Sequence, residues 1–374
     1  MNTLDARLQE LLTRAEHARD EFLGYPVSKD FDYSFLADFL GVPLNNLGDP
    51  FTDSTWRVDS RAIEREVVEF FAQLTRAPEG DWWGYVTNGG SESNLYGLYL
   101  ARELYPQGIV YFSEETHYSV SKNLHLLNMR HIMIRAQDSG EIDYDDLYET
   151  LKLHRDAPPI IFANIGTTMT EGKDDIARIR TMLEKLAIHQ HYIHSDAALC
   201  GPIAPFLDPR PAFDFADGAD SIAISGHKFI GSPIPCGIVL ARKRHVDRIA
   251  RSIAYIGCLD TTVTGSRNGL TPIILWAAIQ RFGKDGLRHR VNESLELAAY
   301  VEKRLLKLGV AAWRNPNALT VVFPAVPETV RQRWQLATAR GQSHVITVPG
   351  VTRGKIDLFI EDLAAHIPHH EERA

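Results

Sequence analysis

Between about residue 60 and residue 240 the chain alternates short apolar runs with helix-length amphipathic segments, and few architectures accept that rhythm. The runs Trp83–Val86, Gly108–Phe112, His131–Ile134, Pro159–Ile165, Tyr192–His194, Ser221–Ile224 and Gly237–Leu240 read as strands. Segments 91–104, 118–128, 143–154 and 174–188 between them have helical spacing. Regular strand–helix alternation predicts an α/β fold built on a mostly parallel, doubly wound sheet. Ligands of such sheets lie beyond the carboxyl ends of the strands, so the residues that follow each strand matter most.

The flanks have a different texture. Leu4, Leu8, Leu11, Leu12 and Ala15 fall on one helical face, which must bury its stripe against the rest of the chain or a partner subunit. Residues 25–58 are rich in Gly, Pro, Asn and Asp and read as an irregular arm. After Gly269, Ala298, Val301, Leu305 and Leu308 mark a helix, Ala318–Phe323 a strand, and Ile356, Phe359, Ile360 and Leu363 a final helix. The expected organisation is an N-terminal helix and arm (1–58), a large domain (59–268) and a smaller α+β C-terminal domain (269–374).

Composition narrows the functional classes. The 374 residues are 44% hydrophobic and 24% charged, as in an ordinary globular protein. Forty basic against 48 acidic residues leave a net charge of −8, with no basic run, which argues against a nucleic-acid partner. Asp5, Arg7 and Glu10 interrupt the N-terminal leucines, so neither a signal peptide nor a membrane span is expected. Cys200, Cys236 and Cys258 are odd in number and lack CxxC spacing, which points to a reducing, cytoplasmic setting. His189, His191 and His194 have a zinc-like spacing, but strand alternation turns His194 away from the other two, and no metal site is expected.

The strand ends carry the chemistry. The first strand runs into Thr87-Asn88-Gly89-Gly90-Ser91 at a helix start, where backbone N–H groups and the absence of side chains suit an anion; a plain tight turn with a serine cap is the bland alternative. The second delivers His117, and Pro159–Ile165 leads to Thr167 and Thr168. Asp196 closes the next strand ahead of Ala197 and Ala198, either capping a helix or facing a cationic ring nitrogen that the alanines leave room for. Ser221–Ile224 delivers Ser225-Gly226-His227-Lys228; a lysine there, followed by Phe229 and Ile230, is either a snorkelling surface residue or an amine poised to form an imine. An anion cradle, a carboxylate and such an amine at one sheet edge match the phosphate, pyridinium nitrogen and aldehyde of pyridoxal 5′-phosphate.

Tyr85–Leu95, Thr116–Ser119, Asn164–Thr168, Asp196–Ala198, Ser225–Lys228 and Gly265–Gly269, in that order and spacing, resemble the group II pyridoxal-phosphate amino-acid decarboxylases. The likeness runs from about Gly24-Tyr25-Pro26 to the C-terminal helix and is greatest to the branch of bacterial histidine decarboxylases and plant serine decarboxylases. It implies the aspartate-aminotransferase-like fold type I and a homodimer with active sites at the subunit interface. By resemblance, Lys228 holds the cofactor aldehyde, Asp196 keeps the ring nitrogen protonated, and His117 and Ala198 pack on opposite ring faces. Gly90, Ser91, Ser225 and His227 hold the phosphate, Thr168 hydrogen-bonds near the ring, and Tyr255, on a loop after the lysine, protonates the substrate Cα.

The implied reaction is loss of CO2 from a free L-amino acid, with L-histidine to histamine the first expectation. Serine and a small apolar amino acid remain alternatives. So does an aminotransferase or lyase on the same fold, which generally needs an arginine clamp for the α-carboxylate. Two departures bear on the substrate. Leu270 stands where close relatives commonly have His, and Glu171-Gly172-Lys173 stands where many have a Gly-Ala pair.

Overall fold

The computed structural model describes residues 3–253 and 257–366. Seven strands form the main sheet: β1 (Trp83–Thr87), β2 (Ile109–Ser113), β3 (Arg130–Ile134), β4 (Pro159–Asn164), β5 (Tyr192–Asp196), β6 (Ser221–Ser225) and β7 (Gly237–Ala241). Each lies within two residues of the run expected from the sequence. Their spatial order is β1-β7-β6-β5-β4-β2-β3. Only β7 runs antiparallel to its neighbours, β1 and β6, so six strands share one direction. Every residue of β1, β2 and β4 to β7 is buried, as expected when helices cover both faces of a sheet. Helices Gly90–Leu104, Ser119–Leu126, Tyr144–Leu153 and Ile176–Lys185 fall where helical spacing placed them. Asp143 and Asp175 cap the last two through their carboxylates.

Two compact units emerge: Phe31–Val291, and the chain up to Asp30 together with the chain from Asn292 onward. These limits differ from the breaks expected at 58/59 and 268/269, for two physical reasons. First, the arm is stitched into the large unit. Asn45–Leu47 pairs antiparallel with Ser266–Asn268. The buried Glu64 carboxylate accepts from the Val86 N–H (2.8 Å) and Asn46 Nδ2 (2.8 Å) and pairs with Arg267. Second, Leu270–Lys307 is helical throughout except at Gly283, where a φ of 58° kinks it, so no linker separates the units near 269.

The second unit has its own core. Strands Thr320–Pro324, Gln342–Ile346 and Thr338–Ala339 form an antiparallel sheet, and Leu23, Val301, Leu305, Phe323, Trp334, Ile356 and Phe359 pack into one cluster. This is the α+β pattern expected of the C-terminal region. The N-terminal helix spans Thr3–Glu21, yet Leu8, Leu11 and Leu12 remain about half exposed (56%, 50% and 51%), so the described residues do not cover that stripe.

Arg267→Met would leave the Glu64 carboxylate buried without its cation. The expected cost is about 3–5 kcal/mol, read as a lower urea midpoint, whereas pairing it with Glu64→Gln should recover much of the loss. An unchanged midpoint in the single variant would mean that the pair does not hold the arm.

Candidate active site

Five parallel strands end at one edge of the large sheet, and the residues at or after those ends line a single cavity. Its described lining is Gly90, Ser91 and Asn94 after β1, His117 and Ser119 after β2, and Asn164, Gly166, Thr167 and Thr168 at β4. Asp196 and Ala198 at β5, with Ser225, His227 and Lys228 at β6, complete it. The site residues expected from the sequence are thus brought together, with one exception: Tyr255 lies outside the described residues.

Local geometry explains how each side chain is delivered. Gly89 takes a φ of 151° at the turn into helix Gly90–Leu104, a backbone state that side chains disfavour. A Cβ on Gly90 would stand 2.7 Å from Ser225 Oγ, so only glycine leaves the helix N-terminus open beside that hydroxyl. After β6 the chain makes a single π-turn over Gly226–Ile230, with Lys228 in a non-helical conformation (φ −82°, ψ −110°) and Gly231 left-handed at its end. That irregular turn sends Lys228 into the cavity rather than along a helix face.

The electrostatics favour a reactive amine. Burial lowers the Lys228 ammonium from its ordinary value, against the opposing pull of Asp196 and Cys200. His117 is half-buried and also lowered, first by desolvation, and its Nδ1 hydrogen-bonds with Ser119 Oγ at 2.8 Å. His227 is lowered by burial too, and its Nδ1 donates to the Cys236 carbonyl at 2.9 Å. Two imidazoles of reduced basicity therefore flank the lysine.

A buried relay fixes Asp196. Asn94 Nδ2 donates to Asp196 Oδ2 at 2.8 Å, and the Ala198 N–H reaches Oδ1 at 3.2 Å. The Asn94 amide oxygen is 2.9 Å from His194 Nε2, whose other nitrogen is 2.7 Å from Ser221 Oγ. Burial pushes the His194 imidazole down to about 3, so the ring is neutral. A neutral ring that donates from Nε2 must accept at Nδ1, and this orients the whole chain of donors toward the carboxylate. A Cβ on Gly97 would lie 2.2 Å from His194 Nδ1, so the helix approaches the strand closely only because residue 97 is glycine. His194 lies within β5, whereas His189 and His191 precede that strand, so strand alternation is not what separates them.

Two lining residues, Asn94 and Asn164, received no role in the sequence reading. Asn94 lies one helical turn beyond Gly90, and its i,i+4 spacing from that residue was the available signal. Asn164 is the last residue of β4 and donates to Thr116 Oγ1 at 3.0 Å; attention to the loop after the strand passed over it. Thr167 bonds to Thr170 Oγ1 and to the Gly172 N–H, which makes it a brace for the loop that carries Thr168. Glu171 and Lys173, the departure noted above, form a buried ion pair at 3.1 Å, with the Cys200 thiol 3.7 Å from the same carboxylate.

A model of the pyridoxal-dependent decarboxylase conserved domain matches residues 17–323. The chain belongs to that family. It is a pyridoxal 5′-phosphate-dependent amino-acid decarboxylase. It is 54% identical to a histidine decarboxylase of Mesorhizobium japonicum, over 96% of this chain and 97% of that one. A histidine decarboxylase of Morganella morganii is 47% identical over 93% of both chains. Among solved structures, L-methionine decarboxylase from Streptomyces sp. 590 superposes with a TM-score of 0.88 at 27% identity, covering 97% of this chain and 95% of that chain. This decarboxylase, a carboxy-lyase, accordingly has fold type I, and the family match sets aside the aminotransferase reading. The cavity suits the cofactor: the Gly90 opening beside Ser225, the Asp196 carboxylate held by donors, and a lysine of lowered basicity.

Asn94→Leu would remove the acceptor of His194 and a donor to Asp196. The expected result is a stability loss of about 1–3 kcal/mol in urea unfolding together with a fall in kcat. Wild-type values for both would take Asn94 out of the relay.

Proposed function

We propose that this decarboxylase converts L-histidine to histamine and CO2. The observation that carries the reading is near full-length likeness, at 54% and 47% identity, to two proteins named histidine decarboxylase. The apolar alternative rested on Leu270. That side chain packs against the apolar cluster of Leu36, Ile273 and Ile274 and is not among the described residues lining the cavity, so its departure reads as core packing.

When bound, pyridoxal phosphate supplies an electron-accepting heterocycle that takes up the electron pair left by departing CO2. Lys228 would provide the amine that holds the cofactor aldehyde, and burial lowers its basicity against the opposing pull of Asp196 and Cys200. Asp196, oriented by Asn94 and Ala198, holds a proton on the ring nitrogen and so keeps the ring electron-poor. His117 and Ala198 would pack against the cofactor ring and Thr168 would hydrogen-bond beside it, all three lining the same cavity. Gly90, Ser91, Ser225 and His227 bind the phosphate through the helix N-terminus and small polar groups. Tyr255 delivers a proton to the substrate Cα.

The enzyme works as a homodimer with its active sites at the subunit interface. Support comes from the uncovered leucine stripe of helix Thr3–Glu21 and from Phe35 (68% exposed) and Leu40 (76%), apolar side chains costly to leave in water. A cytoplasmic location accords with the buried free thiols of Cys200 and Cys236. Among the described residues no helix is long and apolar enough to cross a membrane.

A panel of the twenty amino acids, assayed for CO2 and amine, should return the largest kcat/KM for L-histidine; a larger value for serine or methionine would overturn the assignment. In the same assay Lys228→Ala is expected to abolish turnover and the cofactor mass that borohydride otherwise fixes to the chain. Sedimentation equilibrium of the holoenzyme should give twice the chain mass, and a monomer would remove the dimer.

A further inference from the structure

The opposite end of the sheet carries a second cavity that the decarboxylation chemistry does not use. It encloses about 600 Å³ where β5 and β6 begin and β7 ends. That volume is within the roughly 300–1,000 Å³ typical of small-molecule sites. Its lining is strongly cationic for a chain of net charge −8: Arg180, Arg242, Arg244 and Arg248, with His189, His191 and His245. Strands of five residues put this end about 15 Å from the end that carries Asp196 and Lys228.

The local charge is incompletely neutralised. Asp220, the lining carboxylate, lies 3.1 Å from His245, 3.7 Å from Arg242 and 3.9 Å from Arg244. Asp81 is shared between Arg242, at 3.6 Å, and Arg244. Glu184 is 3.7 Å from Arg180, which also donates to the Asp217 carbonyl at 3.2 Å. The Arg248 guanidinium makes no hydrogen bond or ion pair among the described residues, while its backbone N–H donates to the His245 carbonyl at 3.3 Å. Four guanidinium groups thus face three carboxylates, with an arginine to spare before any histidine is protonated. Guanidinium forks match phosphate oxygens better than any other side chain does. Phe215 and Tyr105 add flat apolar wall, and the Arg242 guanidinium lies 5.7 Å from the Phe215 ring centroid. A bare oxyanion would fill only a small part of this volume.

We propose that this cavity binds a phosphorylated small molecule with a flat organic body, of the size of a nucleoside monophosphate. The phosphate meets Arg248 and Arg180, and the body lies along Phe215 and Tyr105. The site is separate from the cofactor's phosphate cradle and does not depend on which amino acid the enzyme decarboxylates.

The test is calorimetric titration of the holoenzyme, with its cofactor site filled, using AMP, adenosine and inorganic phosphate as probes. AMP should bind saturably, adenosine should not, and inorganic phosphate should bind more weakly than AMP. Arg248→Ala, a change at an exposed side chain, should weaken AMP roughly ten-fold, and Arg180→Ala with Arg248→Ala roughly a hundred-fold. Histidine turnover of Arg248→Ala without AMP should match the wild type. Should the double variant fail to fold, Arg248→Glu supplies the same test through charge reversal alone. The proposal falls if AMP shows no saturable binding, or if the Arg248 variants bind it unchanged. It falls equally if inorganic phosphate binds as tightly as AMP, because the organic body would then go unrecognised.

Discussion

Asp196 and Lys228 reach one cavity from neighbouring parallel strands, and that juxtaposition organises the rest of the site. Strands β5 and β6 pair in register, with Asp196 opposite Ala223. The carboxylate closes its strand, while the amine sits five residues beyond its partner position, on an irregular turn. Neither group is comfortable there. A carboxylate at a sheet edge must be met by donors, and an ammonium away from water loses part of its hydration. Asn94 and the Ala198 N–H answer the first demand. The second is left partly unmet, and the lowered basicity of Lys228 is the result.

Glycines make these encounters possible at two places. Gly97 lets helix Gly90–Leu104 come close enough to β5 for Asn94 to bridge His194 and Asp196. Gly90 keeps the same helix open at its N-terminus beside Ser225. One helix therefore serves the carboxylate with an amide side chain and presents its backbone N–H groups to an anion. Because His194 is neutral and its partners leave it one arrangement of donors, the amide of Asn94 is held in a single orientation. A freely flipping amide could not hold the carboxylate steadily.

The two ends of the sheet are chemically unlike. At the carboxyl ends, small and hydroxylated residues leave room around one amine and one carboxylate. At the amino ends, arginines and histidines crowd a larger cavity in which Asp220 also braces β5, accepting from the Ile193 N–H at 3.0 Å. A strand that carries Asp196 at one end is thus anchored at the other by a carboxylate set among cations.

The amino-acid sequence alone determined the order and type of the strands and helices, because apolar periodicity is a local property. It also singled out Gly90, His117, Asp196 and Lys228, because strand ends in an α/β sheet are where ligands lie and these residues stand there in linear order. Only the tertiary structure decided what touches across the chain. Asn94 meets Asp196 from 102 positions away, and Arg267 reaches Glu64 across 203, contacts that no local pattern encodes. The unit boundaries and the packing of Leu270 were decided the same way, since where a segment buries its surface depends on neighbours brought near by folding rather than by sequence.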